Sequence, residues 1–194
     1  DNFPGTGYSK SVLFEEDNIS DYIKFDNQQK PLSNIRTISL LFYSAKKEDI
    51  GILGFGNGQI LRIGKPSSIA TYKIKTPKIY INGESKDLQR KSDHDYTKSW
   101  NPSINKWYHL VVTTDTPINP IYEFKIGKYT TNGERHFIGE MSDVRLYDRT
   151  FSESDVEELY CFLKMKDGGA YDSHQLCDKY KPVEPWILTN SSWL

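Results

Sequence analysis

The stretch of sequence that decides the fold reads KWYHLVVTTD over residues 106–115 and FIGEMSDVRLYDRTFS over residues 137–152. In the first segment, Tyr108, Leu110 and Val112 alternate with the residues between them, as in a strand that presents two different faces. The second segment is also rich in residues that favour extended structure, and Arg145 points away from its apolar neighbours. Both segments are therefore predicted to be strands of a β-sandwich.

A change of period follows the second segment and predicts a short helix over about residues 152–163. Ser152 has the character of an N-cap, and Asp155 three residues later gives a weaker form of the capping box. Phe151 before the cap and Val156 inside the helix have the spacing of a hydrophobic staple. The apolar residues at 156, 159 and 163 then recur at helical spacing, so one helix face is expected to pack on the sandwich.

The rest of the chain contains short β-type runs separated by turn signals, at the spacing of an all-β sandwich. The predicted strands cover residues 11–14, 21–26, 35–43, 50–55, 59–63, 68–74 and 78–81. The polar segment 84–103 is predicted to be a loop. We therefore expect one sandwich domain over residues 1–163 and an irregular tail over residues 164–194.

These motifs resemble the C-terminal half of laminin-G-like domains, which belong to the concanavalin A-like jelly-roll superfamily. The resemblance rests on the W-x-H strand at 107–115, the I-G pair at 126–127, the F-x-G…D-V-R-L-Y run at 137–152 and the L-Y pair at 159–160. It implies an antiparallel jelly-roll β-sandwich with one short C-terminal surface helix. It also implies that the domain recognises a partner and does not catalyse a reaction.

One hairpin departs from that family pattern. The family places an N-G hairpin after the W-x-H strand, but here residues 79–83 come before Trp107. Either one hairpin is shortened and an unrelated turn imitates it, or the strand order differs between residues 79 and 124.

Charge and hydropathy exclude two classes of partner. The 194 residues include 25 basic and 26 acidic side chains, and a net charge of −1 gives no argument for nucleic-acid binding. No apolar run of about 18 residues is present that could insert into a membrane. The sequence begins at Asp1 without a methionine or signal segment, so we expect it to be part of a longer parent protein.

Cys161 and Cys177 are the only two cysteines, and they could join the tail to the end of the helix. Two free thiols are the alternative. The N-x-S sequons at Asn18 and Asn190 are candidate glycosylation sites, which together with a disulfide favour secretion or display at the cell surface.

The acidic residues suggest two kinds of chemistry. The acids of residues 153–158 match an E-x-D-x-x-E signature of glycoside hydrolases, but helix signals in this segment would separate them, so a solvated helix face is expected. The family resemblance implies a structural calcium ion near Asp143, with Asp26 approaching it. The alternative is that Asp143 pairs with Arg145 or Arg149.

Exposed aromatic side chains are the other candidate ligand-binding groups, because a ring in a loop can stack on a sugar or anchor a protein. Trp100, Tyr96 and Tyr129 fall in predicted loops, and Asp93 and Asp95 form the densest polar cluster nearby. The large aromatic residues expected in the core are Phe42, Trp107, Phe124 and Tyr147.

The sequence therefore predicts a non-catalytic extracellular module for recognition or adhesion, binding a glycan or a protein. One alternative is a carbohydrate-active enzyme of the same fold, or its accessory module. A second alternative is a structural spacer within a larger surface protein.

Overall fold

A computed structural model gives the fold of the chain. It describes residues 11–15, 22–26, 29–45, 50–55, 58, 60–64, 68–92, 95–100, 103–118, 120–128, 136–166 and 177. In chain order, the elements are β1 (Val12–Phe14), β2 (Ile23–Asp26), β3 (Thr37–Ser44), β4 (Ile50–Phe55), β5 (Ile60–Gly64), β6 (Ser68–Tyr72), β7 (Lys78–Ile81), β8 (Glu84–Lys86), β9 (Gln89–Arg90), β10 (Asp95–Ser99), β11 (Trp107–Thr113), β12 (Glu123–Ile126), β13 (Gly139–Tyr147) and the helix α1 (Glu153–Lys166).

The strands form two antiparallel sheets that pack face to face. A six-stranded sheet has the order β1-β13-β3-β11-β7-β8, and a seven-stranded sheet has the order β2-β12-β4-β5-β6-β10-β9. This confirms the predicted antiparallel jelly-roll β-sandwich with one C-terminal helix. The strand boundaries agree with the sequence predictions to within a few residues, which is the usual precision of such boundaries.

The N-G turn forms a true hairpin between β7 and β8. Asn82 and Gly83 both have positive φ, 53° and 82°, the backbone that a two-residue I′ turn requires. Strand β7 also pairs with β11, with Ile81 opposite Leu110. The chain leaves β11 for the other sheet, so this hairpin lies at the edge of the six-stranded sheet and precedes the W-x-H strand in sequence.

The core between the sheets is built from the inward-facing residues of alternating strands. Phe42, Leu110 and Phe124 are all at most 4% exposed and belong to one apolar cluster. Leu110 and Val112 face this core, as their alternation predicts, and Phe42 and Phe124 are confirmed as core residues. Trp107 and Tyr147 are half-buried on the other side of the six-stranded sheet, where they contact the residues beneath α1.

The helix begins as its cap signals predict. The Ser152 backbone N–H donates to Asp155 Oδ2 at 2.8 Å, and the Asp155 N–H donates to Ser152 Oγ at 3.2 Å, a reciprocal cap. Phe151 and Val156 are buried in one cluster with Tyr80, consistent with the staple. The helix packs on the outer face of the six-stranded sheet and continues to Lys166, three residues beyond the predicted end.

The prediction of a loop over residues 84–103 is wrong, because β8, β9 and β10 all lie within it. Tyr96 and Asp95 are therefore strand residues of β10. Strands β8 and β9 are edge strands with polar side chains, so the apolar alternation that reveals a half-buried strand is missing from them. Their pairing with β7 and β10 decides their conformation.

The predicted disulfide is present between Cys161 and Cys177, whose Cα atoms are 5.4 Å apart. Cys161 is a residue of α1. It is 1% exposed and lies in a cluster with Tyr160 of the helix and Leu41 of the sheet below. Apart from the last helical residues and Cys177, the predicted tail 164–194 lies outside the described residues.

Removing this bridge is expected to lower the free energy of unfolding by about 3 kcal/mol, since it closes a loop of about 16 residues. Urea unfolding of the Cys161→Ala/Cys177→Ala variant would measure the loss. Reduction of the wild-type protein is the control and should lower the midpoint in the same direction. Unchanged midpoints in both would contradict a structural role for the bridge.

Candidate functional site

Of the residues that the sequence nominated for ligand binding, Asp95 and Tyr96 lie on β10 and Trp100 directly follows it. Tyr129, Asp93 and the sequons at Asn18 and Asn190 lie outside the described residues, so they stay predictions.

Trp100 follows β10 directly and turns toward the space between the sheets. Its ring meets Tyr108 edge-on at 5.0 Å and Phe42 edge-on at 6.2 Å, measured between ring centroids. It is half-buried against the core cluster. These contacts give Trp100 a packing role, while contact with a ligand stays a prediction.

The two aspartates implied as calcium ligands lie in different sheets, each with a cation beside it. Asp143 has a φ of 52° where the register between β3 and β13 shifts, and its Oδ1 lies 2.8 Å from Arg145. Its Oδ2 is buried without a hydrogen-bond partner. Asp26 lies 3.6 Å from Lys24. Within the described ranges no three His, Cys, Asp or Glu side chains are grouped as metal ligands, and calcium binding stays a prediction.

The acids of the E-x-D-x-x-E motif lie in the helix, as the cap signals predict. Asp155 is occupied by the cap, and the hydrogen bond from the Ser152 hydroxyl is the main reason its pKa is lowered. Arg149 Nη1 also donates to Asp155 at 2.9 Å. These contacts show that the Asp155 carboxylate caps the start of the helix.

His109 is a buried polar residue whose environment the sequence did not reveal. It is 0% exposed, its Nε2 lies 2.9 Å from the Ser39 hydroxyl, and its ring stacks on Tyr160 at 6.0 Å. Burial lowers its pKa from 6.5 to about 3, and the positive charge of Arg145 acts in the same direction. His109 is thus a neutral structural residue beneath the helix.

The outer face of the seven-stranded sheet is the surface that strand register assembles most clearly. Leu61, Ile69 and Phe124 point into the core, so the residues that alternate with them point outward. Cross-strand pairing places the outward residues in two rows. We call them the outer-face rows: Lys24, Lys125, Gly54, Tyr72 and Asp95 in one, and Gly51, Arg62, Ala70, Thr97 and Gln89 in the other.

Several residues of these rows are buried, but Tyr72 is exposed. Ala70 is 1% and Thr97 7% exposed, and Gly51 and Gly54 are buried, whereas Tyr72 is 39% exposed. Lys73 Nζ lies 5.6 Å from the Tyr72 ring centroid, within range of a cation–π contact. Directly opposite Tyr72, Asp95 adds a half-buried carboxylate.

At the other end of the face, Glu123 forms ion pairs with two lysines. Its carboxylate lies 2.8 Å from Lys125 Nζ and 2.9 Å from Lys24 Nζ. Hydrogen bonds from Lys125 and Lys24 lower the pKa of Glu123, and the same contact raises the pKa of Lys24. The charges at this end therefore largely neutralise one another.

The alternation of Ile69 and Thr71 with Ala70 and Tyr72 could have nominated Tyr72 from sequence. The pairing of β6 with β10 brings Asp95 opposite Tyr72. Local alternation does not predict which strands pair, so this contact could not be predicted from the sequence.

The six-stranded sheet presents no comparable face, because α1 lies across it. Leu41, Val111 and Tyr80 point outward from that sheet, and all three are buried beneath Val156, Tyr160 and the rest of the helix. No helix among the described residues is both long and apolar enough to cross a membrane.

No protein-family model and no curated protein matches this sequence. A crystal structure of a candidate carbohydrate-binding protein from Bacteroides ovatus ATCC 8483 is similar, with 19% identity, 71% of this chain covered and a TM-score of 0.49. This chain spans 44% of the length of that protein. A heptameric SAP-like pentraxin from Limulus polyphemus is similar at 14% identity, with 74% of this chain and 84% of that chain covered and a TM-score of 0.43.

These likenesses are too distant to assign a family or a ligand. The laminin-G-like resemblance therefore stays a prediction, and the sandwich assignment rests on the strand order itself.

Proposed function

We propose that this chain is a non-catalytic extracellular recognition module that binds a glycan or a protein partner through the outer face of its seven-stranded sheet. The observation that carries the proposal is the Tyr72 ring, which is exposed on this face directly opposite the half-buried Asp95. The helix covers the corresponding face of the other sheet, whereas this face keeps Tyr72 exposed.

The chemistry of these rows suits a ligand with both apolar and polar sides. An exposed tyrosine offers a flat apolar ring and a hydroxyl, which matches the face of a sugar ring or a partner's side chain. Arg62 and Asp95 supply a donor and an acceptor near it. Because all of these residues lie on paired strands, the site is formed before the ligand arrives, which lowers the entropy cost of binding.

The same rows support a binding role over a catalytic one. Glycoside hydrolysis ordinarily needs two carboxyl groups flanking the scissile bond. On this face Asp95 lies four strands away from Glu123 and five strands away from Asp26, and Glu123 is paired with Lys125 and Lys24. Secretion is supported by the disulfide, because such bonds persist mainly in oxidising compartments.

The test is a glycan array probed with the purified protein, with calcium and again with a chelator. Tyr72→Ala is expected to weaken binding roughly tenfold, the effect of removing one aromatic anchor. Tyr122→Ala is the matched control, since Tyr122 is exposed to a similar degree but lies outside the rows. Equal losses in the two variants would contradict the proposed site.

The chelator addresses the calcium prediction separately. Binding that is lost on chelation, and lost again in Asp143→Asn, would support a calcium-dependent site. Binding that survives chelation but not Tyr72→Ala would support the outer-face rows alone. If no glycan binds, the array is repeated with extracellular proteins, and failure there would favour the structural spacer.

A further inference from the structure

Strand register aligns one row of side chains at the end of the six-stranded sheet, on its outer side. Directly opposite one another on neighbouring strands are, in order, Trp107, Tyr43, Glu140 and Leu13. We call these four residues the edge row. Phe42, next to Tyr43 in sequence, is 0% exposed in the core cluster, so Tyr43 points to the other side of the sheet. Residues that are directly paired across strands share a face, so the whole row points outward.

Helix α1 covers one end of the edge row and leaves the other end exposed. Trp107 is half-buried against the cluster beneath the helix, which includes Tyr160 and Leu163. At the opposite end, Leu13 of the edge strand β1 is 59% exposed. The residues between them, Tyr43 and Glu140, are half-buried, so each keeps part of its side chain at the surface. The row therefore forms a short surface strip beside the helix.

The strip combines two aromatic rings with one carboxylate. The ring centroids of Tyr43 and Trp107 are 5.8 Å apart, with 50° between the ring planes. Glu140 lies on the next strand, at the usual spacing of about 4.8 Å. Its Oε2 accepts a hydrogen bond from the Ser11 hydroxyl at 2.5 Å, and no cation among the described residues pairs with it. An aromatic face attracts a cation within about 6 Å of its centroid, and a carboxylate strengthens the attraction through charge-assisted hydrogen bonds.

The chain that follows Glu140 adds negative charge to this side of the sandwich. Residues 140–158 contain seven acids and two arginines. Both arginines are occupied by acids of the same segment, because Arg145 lies 2.8 Å from Asp143 and Arg149 lies 2.9 Å from Asp155. The segment therefore keeps a net negative charge, which attracts a cationic partner toward the strip.

We infer that the edge row is a second interaction site, separate from the outer-face rows, and that it binds an arginine side chain of a protein partner. The guanidinium plane stacks on the Tyr43 ring while its N–H groups donate to the Glu140 carboxylate, and Trp107 packs beside the methylene stem. Arginine suits this strip better than lysine, because its planar group both stacks on a ring and matches a carboxylate with two parallel hydrogen bonds. Tyrosine and tryptophan are also the side chains that most often anchor protein partners.

The experiment titrates the protein with an arginine-rich peptide, with the matched lysine peptide and with the matched citrulline peptide, which keeps the shape of arginine without its charge. Binding is followed by NMR. The arginine peptide is expected to bind about fivefold tighter than the lysine peptide, and Glu140→Gln and Tyr43→Leu are each expected to weaken its binding about tenfold. Glu158→Gln is the matched control, since it removes an exposed acid of α1 outside the row, and it should change affinity by less than about twofold. Unfolding midpoints of all variants show whether each one folds.

A preference for the arginine peptide that is lost in both row variants, and kept in Glu158→Gln and Tyr72→Ala, supports the inference. Equal binding of the arginine and lysine peptides, or equal losses in Glu140→Gln and Glu158→Gln, would indicate general charge attraction and overturn it. Binding of a neutral glycan that is lost in Tyr43→Leu would assign the strip to a sugar and also overturn it, as would the absence of peptide binding. The proposed function is tested separately through Tyr72, so it stands or fails independently of these results.

Discussion

Gly139→Ala is expected to destabilise the fold by about 4 kcal/mol or to prevent folding, because a side chain at this position meets backbone. Gly139 has a φ of +137°, a conformation that residues with a Cβ rarely adopt. An added Cβ would lie 1.9 Å from the Tyr43 carbonyl oxygen and 3.1 Å from the Ala45 nitrogen. Neither backbone atom can move away easily, since both belong to the end of β3 and the residue after it.

The measurement is urea or thermal unfolding, with Gly58→Ala as the control. Gly58 also has a positive φ, +80°, but its nearest neighbour is the flexible end of the Lys73 side chain at 3.2 Å. We expect that control to lose only about 1 kcal/mol from the backbone conformation. Similar losses in the two variants would show that the contact with Tyr43 is not the reason why residue 139 must be glycine.

Acidification is expected to remove about 2 kcal/mol of stability between pH 7.5 and 5 through His109 alone, and about 4 kcal/mol in total by pH 3. The pKa of His109 is lowered from 6.5 in the unfolded chain to about 3 in the fold. Its neutral form is therefore favoured by folding. The stabilisation is fully present above pH 6.5 and is lost progressively as the pH falls from 6.5 toward 3.

The physical cause is the position of the ring beneath α1. A proton on His109 would place a charge in a site of 0% exposure, near the cation of Arg145. The Nδ1 atom has no hydrogen-bond partner to stabilise that charge. The helix rests on this layer through Tyr160, so protonation is expected to loosen its packing first.

Urea unfolding of the wild-type protein and His109→Phe at pH 7.5, 6 and 5 would test this prediction. His109→Phe keeps a ring against Tyr160 and should lose most of the pH dependence in this window, although it is less stable at pH 7.5. Val111→Ala, which destabilises the same layer beneath the helix without removing a titratable group, is the control and should retain the wild-type slope. Parallel slopes in the wild type and His109→Phe would refute the assignment.

The fold was largely predictable because its strongest signals are local. The alternation at Tyr108, Leu110 and Val112 requires only that one face of a strand be buried. The Ser152–Asp155 cap forms within four residues, and the reciprocal hydrogen bonds of the structure agree with it. The motif glycines at 127 and 139 were visible as a pattern, but only the packing shows why they are glycine: a Cβ at Gly127 would lie 2.3 Å from the Phe14 ring.

The candidate site was far less predictable, because neighbours in a sheet are distant in sequence. Trp100 was nominated as an exposed ring, yet it follows a strand that carries it against Phe42 and Tyr108. Tyr72 was not nominated, although its alternation with Thr71 indicated the outward face, because its neighbour Asp95 is distant in sequence. Residues 84–103 hid three strands because two of them are polar sheet edges with one partner each.

The sequence by itself determined the sandwich class and the capped helix. These follow from alternation and from hydrogen bonds between near neighbours, whereas the structure decided between a disulfide and two free thiols. Only the tertiary structure decided which surface is available and what charge it carries. Antiparallel register joins Tyr72 to Asp95 across 23 residues of chain. Register depends on the burial of both sheets at once, which no single segment specifies.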